Sequence, residues 1–269
     1  MGLSELPPSG HQRTRGLVSR RSGVGVEARI YAPPEDLADV VESFWVGRWN
    51  LPEGEPHVTE LLGDPCVHVA AEHAATRVVG VWTRRWIRRL EGRGLVRAAK
   101  LRAGAVRAFF DVSASDLTNQ LTPAEELDPR LDGHFERRLL EPESDEVAFA
   151  HLAQTLRELR RRDDSVKLGV IAATHLGHSD LQNVESLAAR LEVGVRSLQR
   201  LFKRHVGAPP KLLLQRARVQ EAALRIERGE APNLAALAAD LGYADQAHLT
   251  RDFKVAVGAT PRELEARLR

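Results

Sequence analysis

The stretch Arg196–Pro210, RSLQRLFKRHVGAPP, returns 51 residues later as Ala247–Pro261, AHLTRDFKVAVGATP, with eight of the fifteen positions identical. Leu198 pairs with Leu249, Arg200 with Arg251, Phe202 with Phe253 and Lys203 with Lys254, followed by shared Val, Gly, Ala and Pro. At about 100° per residue, Leu198, Leu201, Phe202 and His205 fall on one side of a helix, and Arg196, Gln199, Arg200 and Lys203 on the other. The second copy divides in the same way. Leu249 and Phe253 face inward, Thr250, Arg251 and Lys254 face outward beside Ala247, and Gln246 and His248 occupy the first turn.

The duplication extends upstream. Val184, Leu187, Ala188 and Leu191 sit at i, i+3, i+4 and i+7, and Leu234, Leu237, Ala238 and Leu241 repeat that spacing, each making one apolar stripe on a short helix. Asn183 and Asn233 precede the two stripes as N-caps would. A short helix, a tight turn and a second helix make a helix-turn-helix, here twice. Between the units Pro210 opens a helix over 211–228 with two apolar stripes, one through Leu212, Val219, Ala223 and Ile226, the other through Leu213, Ala217 and Leu224. Two stripes predict a helix gripped from both sides, a strut between the units.

The outward groups suit a DNA major groove. Arg bonds guanine O6 and N7 bidentately, Gln does the same with adenine N6 and N7, and Lys reaches phosphate. A single such face is usually solvated surface; two on the second helices of tight pairs, with Arg at the same place, favour DNA reading. The charge distribution agrees: residues 166–269 carry a net +5 and residues 1–165 a net −3, within an overall +2.

The rest of the chain divides by pattern. Residues 1–26, rich in Gly, Ser, Pro and Arg, read as a disordered tail, not as an arm laying Arg13, Arg15, Arg20 and Arg21 on phosphates. Residues 27–112 read as strand-rich: CVHVA, RVVGVW, WIRRLEG and LVRAAKLRAG are short β-branched runs with Gly-containing breaks, a meander or small barrel. Residues 113–165 read as a helical connector in which Phe149, Leu152, Leu156 and Leu159 form a stripe, either a dimer seam or a face packed on the chain's own sheet. Residues 166–269 read as helices throughout. The fold class is therefore α+β, a strand-rich part followed by an all-α double helix-turn-helix domain.

These motifs resemble the DNA-binding domain of AraC-family transcription regulators over about 100 residues. The second unit is the more specific, with Gly242-Tyr243, Asp245-Gln246, His248-Leu249, Phe253, Gly258 and Pro261. The resemblance implies base contacts at Arg196, Gln199 and Arg200, and at Gln246, Ala247, His248, Thr250 and Arg251; the outward faces themselves put Lys203 and Lys254 toward the DNA. It implies a regulator of transcription, commonly an activator that contacts RNA polymerase. VESFWVGRW, EPHVTELLGDPCVHVA and GVWTRRWIRRLEGRG resemble the amino-terminal region of an actinobacterial subset, which implies a cupin-like domain for a small-molecule effector or for dimerisation. Two positions depart from the pattern: Glu192 stands where the turn usually has Gly, and Gly194 where Ser or Thr usually caps the reading helix.

Competing chemistry is thinly supplied. The one cysteine, Cys66, excludes an intrachain disulfide and any multi-cysteine zinc site. His57, Glu60, Cys66, His68, Glu72 and His73 lack the His-x-His spacing of a cupin metal site. DPCVH is similar to an alkyltransferase Pro-Cys-His-Arg nucleophile only with an inserted Val67 and no Arg. His175 and His178 lack a third ligand. No phosphate loop, serine triad, signal peptide or apolar run of roughly 18 residues occurs. The expectation is a cytoplasmic, non-enzymatic regulator without metal or cofactor, monomer or homodimer, with double-stranded DNA as partner and no membrane. The alternative is a small-molecule-binding enzyme or adaptor whose helical domain binds protein.

Overall fold

The computed structural model describes residues 4–5, 25–63, 65–73, 75–177, 183–231 and 233–268. Eight strands come first: β1 (Val26–Tyr31), β2 (Val41–Asn50), β3 (His57–Leu62), β4 (His68–Glu72), β5 (Ala75–Val79), β6 (Arg85–Leu90), β7 (Arg93–Leu101) and β8 (Leu121–Pro123). Six form one antiparallel sheet in the order β1-β2-β7-β4-β5-β8, and β3 pairs with β6 as a separate ribbon. The sheet is open, with β1 and β8 as its edges, so the barrel expected from the family resemblance is not formed.

Both faces of the sheet are covered without closure. Successive residues of β2 point to opposite sides. Phe44 and Val46 enter the main core, while Trp49 joins Leu51, Leu90 and Val96 in a second cluster under the ribbon. Arg88 of the ribbon lies over the Trp49 ring, 5.4 Å from its centroid, and pairs with Glu72. The helices that follow are α1 (Ala124–Leu127), α2 (Gly133–Leu140), α3 (Asp145–Leu159) and α4 (Ser165–Thr174). The stripe of α3 packs on the chain's own sheet: Phe149 stacks on Phe44 at 5.3 Å between centroids, and Leu152, Leu156 and Leu159 are buried. A dimer seam through those residues is thereby ruled out.

Two local features depart from the sequence reading. β8 lies inside the stretch read as helical and pairs with β5; three residues leave no periodic signal. Of the expected tail, Ser4 O accepts from Ala32 N at 3.0 Å and Glu5 bridges Tyr31, adding a short pairing beside the end of β1. The four tail arginines and His178 lie outside the described residues.

The carboxy-terminal helices are α5 (Val184–Arg190), α6 (Val195–Leu201), α7 (Pro210–Glu227), α8 (Leu234–Asp240), α9 (Gln246–Val257) and α10 (Pro261–Leu268). Their core is divided unequally. Leu187, Leu198, Phe202, Leu213 and Leu214 belong to the same apolar cluster as Phe44 and Phe149, so the first helix-turn-helix unit is built onto the core of the strand-rich part. Val219, Ala223 and Ile226 pack with Leu237, Leu241, Leu249 and Phe253 in a cluster of their own. The strut α7 is therefore held by one core over its first half and by another over its second. None of the helices among the described residues is long and apolar enough to cross a membrane.

Candidate nucleic-acid interface

Each unit is assembled by the same local devices. Asn183 Oδ1 accepts from Ser186 N at 2.7 Å and Asn233 Oδ1 from Ala235 N at 2.8 Å, so both short helices carry the expected caps. Val193 N then donates to Ala188 O and Tyr243 N to Ala238 O, closing equivalent turns at 3.0 and 2.9 Å. The residue inside each turn is left-handed, Glu192 at φ 54 and Gly242 at φ 72. Gly adopts that conformation freely, whereas a side chain crowds the following carbonyl. Glu192→Gly is expected to stabilise the protein by about 0.5 to 1 kcal/mol after the greater freedom of Gly in the unfolded chain is deducted. Denaturant midpoints of the two proteins check this, and a midpoint lowered by the change would count against strain at Glu192.

The reading helices differ at their ends. α9 begins with Asp245 Oδ1 accepting from His248 N at 2.7 Å, whereas Gly194 offers α6 no side-chain cap. α6 continues into a π turn over Phe202–Val206, with Gly207 N donating to Phe202 O at 2.7 Å. That turn docks on the strand-rich part: Ser113 Oγ donates to Lys203 O at 3.1 Å, and Thr118 Oγ1 to Gly207 O at 2.6 Å. A Cβ on Gly207 would lie 2.8 Å from Ala114 O, so only Gly permits this approach. His205 is buried against Gly169 of α4, and burial holds its imidazole below the usual value.

Arg196, Gln199, Arg200 and Lys203 are all exposed, while Leu198 and Phe202 on the opposite side are fully buried. Arg200 Nη2 donates to Ser197 Oγ at 3.3 Å, and no carboxylate pairs with Arg196, Arg200 or Lys203 among the described residues. On α9, Arg251 and Lys254 are exposed and Leu249 and Phe253 buried. Gln246, His248 and Thr250 are half-buried. The His248 ring is turned along its own helix, with Nε2 3.6 Å from Asp252 Oδ2 and the ring edge-on to Tyr243 at 5.1 Å. The second face thus presents fewer free side-chain donors than the first.

Two arginines of α7, absent from the sequence reading, position the second unit and the strut. Arg218 lies 4.8 Å over the Tyr243 ring and donates to Gly242 O at 3.3 Å, holding the second turn; burial pushes the Tyr243 hydroxyl up to about 12. Arg216 is buried and donates through Nη1 to Gly63 O at 2.6 Å and Trp82 O at 2.7 Å, anchoring the strut to the strand-rich part. Arg216 falls where the two apolar stripes of α7 meet, the one sequence signal that could have marked it, whereas Arg218 falls on the opposite side of the helix, where helical period gives no such signal.

Two of the residues weighed for other chemistry, Cys66 and His68, are engaged within the strand-rich part. Cys66 is buried with its thiol 3.6 Å from Glu42 Oε2, and His68 Nδ1 accepts from Trp45 Nε1 at 3.0 Å. Among the described residues, no three His, Cys, Asp or Glu groups are placed to share a metal ion.

Residues 187–267 match the model of a family described as a helix-turn-helix domain. A segment of 87 residues is 31% identical to the HTH-type transcriptional activator RhaS of Pectobacterium carotovorum, covering 32% of this chain and 31% of that protein. The carboxy-terminal domain is an AraC-type helix-turn-helix domain. The chain spans about a third of the length of the curated relatives it matches. Residues 29–123 match a domain of unknown function, DUF6597. Among solved structures, the chain is similar to the C-terminal domain of the response regulator AraT from Geobacillus stearothermophilus, with 28% identity, TM-score 0.32, and coverage of 36% of this chain and 78% of that one. It is also similar to ToxT from Vibrio cholerae, with 10% identity, TM-score 0.39, and coverage of 84% and 98%.

Proposed function

We propose that the protein is a sequence-specific, double-stranded-DNA-binding regulator of transcription that places α6 and α9 in neighbouring major grooves. One observation carries the reading: two second helices of tight pairs, joined by one strut, each present exposed Arg and Lys that no carboxylate among the described residues neutralises. At about 1.5 Å per residue the 18-residue strut spans about 27 Å, and major grooves recur on one face of B-DNA at about 34 Å, so adjacent grooves are within reach with modest bending. The proposed reading residues are Arg196, Gln199 and Arg200, with Arg251, Thr250, Gln246 and His248 in the second groove and Lys203 and Lys254 on phosphates. The first unit reads more through base edges, the second more through position. By analogy with relatives named as activators, activation through RNA polymerase in the cytoplasm is part of the proposal, as are a small-molecule effector and a non-catalytic role.

The opposed chemistry of Arg and Lys supplies the test. Arg200→Ala is expected to weaken operator binding by about 1 to 3 kcal/mol and relax preference at one base pair, whereas Lys203→Ala weakens all sequences alike and lowers the salt slope by about one. Footprinting and gel shift against the protein's own upstream region read both. Absence of any sequence preference at moderate salt would reject the proposal, and identical behaviour of the two variants would reject the assignment of the face.

A further inference from the structure

Between Arg77 and Arg107 the chain carries ten Arg and Lys and one acid, Glu91, inside an amino-terminal part that is acidic overall. Several of these cations are used by the fold. Arg97 and Lys100 are buried, Arg88 pairs with Glu72, Arg107 pairs with Asp163, and Arg102 donates to Ala38 O. Arg84 and Arg85, where β6 begins, are exposed. They stand beside the second reading helix. With Ile87 they form one wall of a cleft whose other walls include Asp252, Val255 and Ala256 of α9. Asp252, the acid among these, faces His248 at 3.6 Å. On α9 itself, Ala247, Arg251, Lys254 and Gly258 recur at i, i+4, i+7 and i+11, so Gly258 ends the row that carries Arg251 and Lys254 outward. Gly258 lies about 6 Å along the axis beyond Lys254 and closes the helix at φ 80. The Arg85 guanidinium packs on it: a Cβ there would lie 2.9 Å from Arg85 Cζ. A cation of the strand-rich part therefore continues the basic row of the reading helix.

We propose that Arg84 and Arg85 bind the phosphate backbone at the edge of the major groove that α9 enters, which makes the strand-rich part a third DNA-contacting element beside the two reading helices. The contact rests on the DNA-binding function proposed above. α9 has fewer free side-chain donors than α6, so its hold on the duplex depends more on phosphates, which fix register without reading sequence. A phosphate contact needs charge and reach, not a fork aimed at one base edge, and two exposed arginines beside the end of the helix supply both. Screening limits such attraction to about 8 Å at physiological salt, so position decides which of the exposed cations take part. β6 runs away from α9 at about 3.3 Å per residue, which places Arg93, beyond its far end, roughly 20 Å from Arg85. Arg93 is exposed and lies outside the contact.

Fluorescence anisotropy of the full chain on its own upstream region and on an unrelated duplex, from about 50 to 200 mM salt, reads the number of phosphates neutralised. Arg84→Ala/Arg85→Ala is expected to weaken binding to both duplexes alike, by about ten-fold at about 150 mM salt, and to lower the salt slope by about two. Arg84→Ala alone, at an exposed position that packing does not need, should lower the slope by about one. Arg84→Lys/Arg85→Lys should keep the wild-type slope, because a phosphate accepts either cation, and Arg93→Ala should keep it as well. A wild-type slope in the double alanine variant overturns the contact. Equal loss in Arg93→Ala overturns it too, since net charge alone would then be felt, and so does tighter binding by the double variant, which would mean that the segment stands in the way of DNA. The two levels separate: a wild type without operator preference rejects the proposed function while the slope change is still read on the unrelated duplex, operator preference with an unchanged slope rejects the contact alone, and absence of any DNA binding rejects both.

Discussion

Phe253→Ala is expected to melt the second helix-turn-helix unit while the rest of the molecule stays folded; Phe202→Ala is expected to weaken the whole molecule. The two phenylalanines occupy equivalent places in the repeat and are both fully buried, so truncation costs about 3 to 5 kcal/mol at either. Their surroundings differ. Phe253 belongs to a small core made by Val219, Ile226, Leu237, Leu241, Leu249 and a few neighbours, with nothing from the sheet. A core of that size supports only a few kcal/mol, and the loss is comparable to all of it. Phe202 sits in the cluster that also holds Phe44, Phe109 and Phe149, where the same loss is spread over a much larger cooperative unit. Hydrogen exchange distinguishes the outcomes. In Phe253→Ala, amides of α8 to α10 should lose protection while those of β2 and β7 keep it, and operator footprints should shrink to one groove. In Phe202→Ala, protection should fall together in α6 and the sheet. Uniform loss in both variants would mean that the two cores unfold as one.

What was legible in the sequence was what repeats at short range. The apolar stripes of α5 and α8 and the Asn183 and Asn233 caps follow from spacing, because a helix-turn-helix is specified by residues fewer than ten apart, and the left-handed turn at Glu192 follows from the family resemblance, which has Gly there. The open sheet was not legible. Whether strands close depends on their edges, and β8 is a three-residue edge with no periodicity. The stripe of α3 was legible as a buried face but not as to its partner, since Phe149 says only that something covers it; Phe44, 105 residues away, is what does. For the candidate interface, the outward side of α6 and α9 is a matter of helical period, whereas the engagement of His248 with Asp252 and Tyr243 is a matter of rotamer and neighbour, which no spacing encodes.

Basic residues turned inward are the other class that pattern reading misses, because an Arg is scored as solvent-facing wherever it falls. Arg97 lies between Val96 and Ala98 in β7 and Arg216 on the buried side of α7, so in both cases a period of two or of 3.6 already pointed inward. The residue type concealed it. Both make the same use of the guanidinium, gathering backbone carbonyls that nearby chain segments leave without partners.

Arg97→Met should accordingly be among the most damaging single changes in the strand-rich part, by about 3 to 5 kcal/mol. Arg97 is 1% exposed at the middle of the sheet. Its Nη1 donates to Leu139 O at 2.6 Å and Pro142 O at 2.8 Å, and its Nε to Asp145 Oδ1 at 2.9 Å. It thereby satisfies the end of α2 and holds the first residue of α3, where Tyr31 Oη also donates to Asp145 Oδ2 at 3.1 Å. Methionine fills much of the volume but leaves two buried carbonyls without donors. Lysine restores the charge without the fork, so Arg97→Lys should recover less than half of the loss. Burial raises the Asp145 carboxyl, but hydrogen bonds from Arg48 and Arg97 outweigh it and hold the group below its ordinary 3.8. A depressed carboxyl contributes stability above pH 3.8 that is lost as the pH falls through the folded value beneath it. Losing Arg97 removes part of that contribution, so the gap between wild type and Arg97→Met should narrow as acid is added below about pH 4. Urea melts across that range decide the matter: a gap that stays constant would place the cost in the carbonyls alone, and a wild-type midpoint in Arg97→Met would remove Arg97 from the core.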